Sequence, residues 1–157
     1  MMKSTIRTIE KVVEIAEQRR DEALAQLAQL QRELRNAQDQ MDQLTSYADE
    51  ATQRWHARSV QGVDANLLYH HRQFMHKIGH AIEFQRSVLD SHHARIEQAQ
   101  AKVQDAERDL AGLRMYQQRK QQEIDLRAQR QDQKAMDEMA QNVYLQQLRL
   151  NSHGARP

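Results

Sequence analysis

Apolar residues recur along the first part of the chain with alternating spacings of three and four residues. When Ile6 is taken as heptad position a and Ile9 as position d, only Arg20 and Arg58 interrupt the apolar run. A repeat sustained over this length predicts a coiled-coil helix, because a period of 3.5 residues holds one seam against a partner helix. The positions in this first series are Ile6, Ile9, Val13, Ala16, Arg20, Ala23, Leu27, Leu30, Leu34, Ala37, Met41, Leu44, Ala48, Ala51, Trp55 and Arg58.

The pattern stops at residues 59–66, which carry the signals of a turn. Gly62 suits the left-handed conformation that ends many helices, and Asp64 or Asn66 can cap the helix that follows. A second heptad series then begins, apolar at most a positions and more polar at d. Its a positions are Leu68, Met75, Ile82, Leu89, Ile96, Val103, Leu110, Gln117 and Ile124, and its d positions are His71, Ile78, Gln85, His92, Ala99, Ala106, Leu113, Lys120 and Arg127.

Two long helices joined by a short turn predict an all-α fold. We expect a long two-helix antiparallel coiled-coil hairpin whose second helix is longer than the first. We predict a single coiled-coil domain over residues 1–157, with helix 1 at about 4–59, the turn at about 60–65, helix 2 at about 66–146 and a flexible tail at about 147–157.

The two series also predict how the helices are aligned, because position a faces position d in an antiparallel coiled coil. If the numbers of facing residues sum to 126, Trp55 meets His71 and Val13 meets Leu113. The midpoint of that sum, residue 63, falls inside the turn that was found separately from composition. A slip of one heptad stays open at this stage.

Arg20 places a charge at a core position. In this alignment it faces Ala106, with Glu107 and Asp109 beside it. We therefore predict that Arg20, Glu107 and Asp109 form a salt bridge that fixes the register, as polar residues at core positions commonly do. A contact with a partner protein is the alternative.

The facing layers become polar toward the end of the first series, where Ile9 faces Gln117 and Ile6 faces Lys120. Beyond about Ile124 the second helix has no partner within the chain, although apolar residues continue. An unpaired helix gains little stability from helix propensity alone. This segment is therefore expected either to fray or to bind another protein.

Composition narrows the possible classes of protein. The chain has 157 residues, of which four are glycine, none is cysteine and only one is proline. So few glycines and prolines cannot supply the turns that a fold with many strands needs. Without cysteine, the chain has no disulfides and no thiolate metal sites. The 23 basic and 22 acidic residues leave a net charge of +1, so we expect neither nucleic-acid binding nor direct membrane insertion. Without a signal peptide or an apolar stretch of about 20 residues, an intracellular soluble protein is expected.

Histidine is the residue type that invites a catalytic or metal-binding interpretation. His76 and His80 are spaced so that both lie on one helix face, but their heptad positions face water, and no third ligand lies near in sequence except His70 or Gln73. A two-helix seam offers no cleft for chemistry, and the sequence has no Walker A motif, no nucleophile elbow and no metalloprotease helix. We expect no enzyme activity, no cofactor and no metal site.

Early helix 2 is the most apolar and aromatic part of the chain. Phe74 and Ala81 fall at position g beside Ile78, which widens the stripe beyond a two-helix seam. They either wrap helix 1 and shield Trp55, or they form an exposed anchor for a partner. Trp55 is itself either a core residue or an anchor.

Two segments make the chain similar to a known family. Residues 69–74, Tyr-His-His-Arg-Gln-Phe, resemble the aromatic-Gln-Phe segment found early in the second helix of FliJ proteins, and residues 130–140, Arg-Gln-Asp-Gln-Lys-Ala-Met-Asp-Glu-Met-Ala, resemble their Asp-Gln-Lys-x-Met-Asp-Glu ending. The second segment is the more specific, because it lies outside the paired core where heptads do not dictate sequence. The resemblance spans roughly residues 5–142.

The FliJ resemblance implies a non-enzymatic coupling protein of the bacterial flagellar type III export apparatus. Such proteins look like the central stalk of rotary ATPases: they insert into the hexameric FliI-like export ATPase, promote its activity, contact the FlhA-like export gate and escort export chaperones. This implies a cytoplasmic protein, held at the inner membrane by partners. By position, the gate-binding residues are Phe74, Ile78 and Ala81, and the ATPase-inserting end contains Ile6, Ile9, Asp132, Gln133, Lys134, Met136, Asp137 and Glu138.

Two alternatives remain at the level of sequence. One is the equivalent stalk protein of a virulence type III secretion system. The other is a structural coiled coil unrelated to secretion.

Overall fold

A computed structural model describes residues 2–154 of the chain. Helix α1 spans Met2–Ser59 and helix α2 spans Ala65–Gly154. The two helices pack against each other as a hairpin, and the described residues contain no strand. The predicted all-α fold with a longer second helix is confirmed.

The connection between the helices is built by one glycine and one aspartate. Gly62 has φ of +92°, the left-handed region that glycine adopts without a Cβ clash. Its amide and that of Gln61 donate to the carbonyls of Ser59 and Arg58, which closes the last turn of α1. Asp64, rather than Asn66, caps α2: its Oδ1 accepts the Asn66 amide at 3.4 Å, and its carbonyl accepts the Leu68 amide at 3.1 Å.

Helix α2 continues further than the sequence pattern suggested. We predicted its end near residue 146, but the helix reaches Gly154. The residues between these points include no glycine or proline, and several are strong helix formers such as Gln, Leu and Arg. The last part of the predicted tail, residues 155–157, lies outside the described residues.

The chain divides into two compact units, each built from both helices. The turn unit, Glu17–Arg108, has a buried core of Ala37, Met41 and Leu89, flanked by Leu34, Ile82 and Val88. In the terminal unit, described for residues 2–16 and 109–154, the core consists of Val13, Ala16 and Leu110, with Ile9 and Leu113 against it. Both cores are filled by the a and d residues of the two series, as the heptads predicted.

The alignment of the helices follows the predicted register in each unit. In the turn unit the ring of Trp55 stacks on that of His71, with centroids 4.1 Å apart and an angle of 5° between planes. In the terminal unit, Ala16 and Leu110 share one buried cluster, as their facing positions require. A slip of one heptad would have placed Trp55 opposite Asp64 or Ile78. Trp55 is therefore a half-buried core residue, not an exposed anchor.

The prediction for Arg20 was wrong. Its guanidinium pairs with Asp21 of its own helix, with Nη2 3.0 Å from Oδ1, instead of the predicted Glu107 and Asp109. The side chain is 28% exposed, because its long apolar stem lets the charge reach the solvated edge of the seam. Arg20 therefore does not fix the register through a cross-helix ion pair.

A buried polar contact crosses the seam at Gln85, a residue for which the sequence predicted no role. Gln85 is only 8% exposed at a d position. Its Nε2 donates to the carbonyl oxygen of Ala37 at 2.8 Å and to Oε1 of Gln40 at 3.3 Å. In the observed register this buried amide meets both acceptors, so its hydrogen bonds favour that register over one that leaves the amide unpaired.

We predict that Gln85→Leu raises stability while weakening the choice of register. The Ala37 carbonyl lies inside α1 and keeps its helical hydrogen bond. Replacing Gln85 therefore leaves no buried acceptor without a hydrogen bond. Burying leucine in place of a polar amide should add about 1 kcal/mol to the free energy of unfolding. Urea denaturation measures the gain.

The register itself can be read by disulfide trapping, since the native chain has no cysteine. In the Gln85→Leu background, cysteine pairs placed one heptad out of register should begin to cross-link alongside the native pair Ala48→Cys and Ile78→Cys. A destabilised variant, or one that cross-links only in the native register, would contradict the role given to Gln85.

Candidate partner-binding surfaces

An exposed apolar surface lies in the turn unit, where late α1 meets early α2. Tyr47 of α1 and Phe74 of α2 bring their rings to 6.3 Å at an angle of 54°, and they remain 62% and 40% exposed. Both occupy heptad position g, and the g positions of antiparallel helices lie on the same side of the seam. Leu67, which is exposed, and Ala81, which is half-buried, occupy the g positions of α2 before and after Phe74. We call Tyr47, Leu67, Phe74 and Ala81 the aromatic surface.

The three residues predicted to bind the gate do not share one environment. Phe74 contacts Tyr47 of α1, so part of its ring packs against that helix while the rest stays exposed to solvent. Ala81 is half-buried on the same side. Ile78 is 9% exposed and belongs to the core, where a partner cannot reach it while the helices stay paired. Tyr47 was missed in the sequence, although its g position in the first series was the available signal.

The second candidate surface is the end of α2 in the terminal unit. Ile124 is half-buried, whereas every residue from 125 to 154 is exposed although all of them are helical. We call residues 125–154 the overhang. Its exposed large apolar side chains are Leu126, Met136, Met139, Val143, Tyr144, Leu145, Leu148 and Leu150.

Part of the overhang carries an apolar face of its own. Met136, Met139, Val143 and Leu150 follow one another at spacings of three, four and seven residues, which places them along one side of the helix. From residue 127 to residue 141 the a and d positions that α2 used for its seam are occupied by polar residues, such as Lys134 and Glu138, and they become apolar again at Leu145 and Leu148. Between Met136 and Val143 the apolar face of the overhang therefore lies on a different side of α2 from the one that packs on α1.

Charge does not define this surface. The overhang contains four basic residues and four acidic ones: Arg127, Arg130, Lys134 and Arg149 against Asp125, Asp132, Asp137 and Glu138. Gln133 donates from Nε2 to Oδ1 of Asp137 at 3.2 Å, within the same helix. Attraction by net charge is therefore weak, and the exposed methionines and leucines are the larger source of binding free energy for a partner.

The structure separates the residues assigned to the ATPase-inserting end. Ile6 and Ile9 are half-buried against α2 in the terminal unit. Ile6 lies level with Lys120 in the register, and Asp132 is twelve residues further along, a distance of about 18 Å at 1.5 Å per residue. The first turns of α1 also line a shallow groove with Lys120, Glu123, Ile124 and Arg127. The motif at residues 132–138 therefore lies beyond the paired helices, and Ile6 and Ile9 lie within them.

Two further classes of site are absent from residues 2–154. No group of three or more histidine, aspartate or glutamate side chains in this range is arranged to hold a metal ion. Neither helix, as far as it is described, contains a segment long and apolar enough to cross a lipid bilayer.

Comparison with known families gives one match. A family model described as "FliJ: Flagellar FliJ protein" matches residues 5–149, nearly the whole chain. No curated protein and no solved structure matches the chain significantly. The matched range includes both the aromatic surface and most of the overhang.

Proposed function

Since the chain belongs to the flagellar FliJ family, a family of non-enzymatic components of flagellar protein export, we propose that it couples the export ATPase to the export gate. In this proposal the overhang inserts into the hexameric ATPase and promotes its activity, and the aromatic surface contacts the gate. We also propose that the chain escorts export chaperones and that its partners hold it at the inner membrane. These two parts of the proposal rest on the family alone.

The observation that carries the ATPase proposal is that every residue from 125 to 154 is exposed. A free helix of this length would be only marginally stable, because most helical stability in proteins comes from packing. Burial of its apolar side in the pore of a ring would supply that packing. The decisive experiment compares the stimulation of the ATPase by the full chain with that by a chain truncated within the overhang.

The gate proposal rests on the aromatic surface. Exposed aromatic side chains held in place by a neighbouring ring are common anchors in protein interfaces, because they bury much area at small entropic cost. Phe74 has this arrangement through Tyr47. Ile78 supports the surface from the core and is not itself a contact residue.

We predict that Phe74→Ala weakens binding of the soluble gate domain by about 2 kcal/mol, roughly thirtyfold in affinity. Its effect on the melting temperature should be small, because Phe74 is already 40% exposed. Calorimetry with the purified gate domain measures the affinity, and circular dichroism measures the melting temperature.

Two further variants serve as controls. Phe84→Ala removes the same side chain from a position that is 71% exposed and outside the aromatic surface, so gate binding should be unchanged. Ile78→Ala should lower the melting temperature, because it opens a cavity in the core. Equal losses of affinity for Phe74→Ala and Phe84→Ala would contradict the proposal that the aromatic surface binds the gate.

A further inference from the structure

His76 and His80 form a pair on the solvent-exposed side of α2. Their Nε2 atoms lie 3.1 Å apart, and their rings meet edge to face with centroids 4.5 Å apart. One turn of helix separates the two residues, so the backbone holds both imidazoles on the same face. Both side chains are exposed, and neither takes part in the seam or in the aromatic surface.

A direct contact between two Nε2 atoms requires at least one neutral ring, because one nitrogen donates a proton and the other accepts it. Neutral imidazole is also the form that binds transition metals. A metal ion that replaces the shared proton would meet two nitrogen ligands already close to each other.

The distance fits two adjacent ligands of one metal ion. With zinc–nitrogen bonds of about 2.05 Å, ligand angles of 90° and 109° place the two nitrogens about 2.9 Å and about 3.3 Å apart. The observed 3.1 Å lies between these values. Rotation of the rings would aim both lone pairs at one point, and exposure leaves the rings room to rotate and the other coordination positions open to water.

We propose that His76 and His80 form a two-histidine site for a divalent transition-metal ion such as Zn²⁺. Because the chain supplies two ligands, the site binds an exchangeable ion and does not hold the fold together. Ions that prefer imidazole, Zn²⁺, Ni²⁺ and Cu²⁺, bind there, and ions that prefer oxygen, Mg²⁺ and Ca²⁺, do not. The site is independent of the proposed function, because its residues lie outside both partner-binding surfaces.

Calorimetric titration of the full chain with Zn²⁺ tests the site. His76→Ala and His80→Ala should each weaken the tightest binding event by about tenfold to a hundredfold, because the second ligand of a chelate binds at a high effective concentration. Helicity at 222 nm should stay unchanged in both variants, since both side chains are exposed.

A matched control keeps the number of histidines constant. The double variant Gln98→His with His76→Gln retains all eight histidines but leaves no histidine within four residues of either His80 or position 98, which lie 18 residues, about 27 Å, apart along the helix. Its affinity should fall as far as that of His76→Ala. Wild-type affinity in this control, or in both alanine variants, would show that Zn²⁺ binds scattered histidines and would overturn the proposal. Heat of binding with Mg²⁺ at the same site would also overturn it.

Discussion

Truncation after Gln129 is expected to abolish stimulation of the cognate export ATPase while leaving the two helices paired. The removed residues that the structure describes, 130–154, are all exposed, so their loss takes nothing from either buried core. In the proposal, however, they supply the apolar surface that enters the ring. The measurement is the steady-state rate of ATP hydrolysis at saturating chain, with the melting temperature recorded on the same samples.

Paired substitutions separate the loss of a surface from the loss of length. Met136→Ser with Met139→Ser alters the apolar face of the overhang, and Gln131→Ser with Gln141→Ser places the same two serines at seam positions of the same segment. The first pair should reduce stimulation to near the basal rate, and the second should retain most of it. If the truncated chain stimulates fully, the overhang is not the inserting end.

Leu110→Ala is expected to be strongly destabilising. Leu110 is 2% exposed, the lowest value among the buried apolar residues of the described chain, and it packs with Val13 and Ala16. Removing a buried leucine side chain costs about 2–5 kcal/mol, since transfer free energy is lost and a cavity remains. The loss should appear as a lower urea midpoint for the unfolding of helicity.

Leu126→Ala provides the matched comparison for that experiment. Leu126 is 52% exposed in the overhang, so its truncation should change the free energy of unfolding by no more than about 0.5 kcal/mol. Similar losses for Leu110 and Leu126 would mean that the overhang is packed in the free chain. That result would remove the main support for the ATPase proposal.

The fold was accessible from the sequence because one periodic pattern determines nearly all of it. The a and d residues between Ile6 and Trp55 are all buried or half-buried, and Arg58, which breaks the series, is exposed. The register was accessible for the same reason, once Gly62 located the turn. The end of α2 was predicted too early, because an unpaired helix of good helix formers leaves no pattern that marks where it stops.

Polar residues in the seam were harder to predict, because heptad position says where a Cα lies and not where a long side chain ends. Arg20 can extend its charge to the edge and pair with Asp21. Gln85 is shorter, and its amide is held inside, where it finds a backbone carbonyl of Ala37. Every residue has a backbone carbonyl, so the sequence pattern cannot show which carbonyl accepts this hydrogen bond.

The candidate surfaces, too, could be predicted from the sequence only in part. The overhang was predicted from the absence of a facing series beyond Ile124, and its residues are exposed as expected. Within the predicted gate-binding set, by contrast, the structure separates Ile78 from Phe74, because positions d and g differ in burial although both are apolar. Tyr47 joins Phe74 only through the pairing of the two helices, which neither series displays alone.

The central claim is that the overhang lies inside the export ATPase, and site-specific photocross-linking tests it most directly. A photoreactive residue is placed at Met139 in one sample and at Phe84 in another, each in an exposed position, and each is irradiated with the ATPase hexamer. The account predicts a cross-link to the ATPase from position 139 and none from position 84. Cross-linking from position 84 alone, or from neither position in a mixture that shows full stimulation, would contradict it.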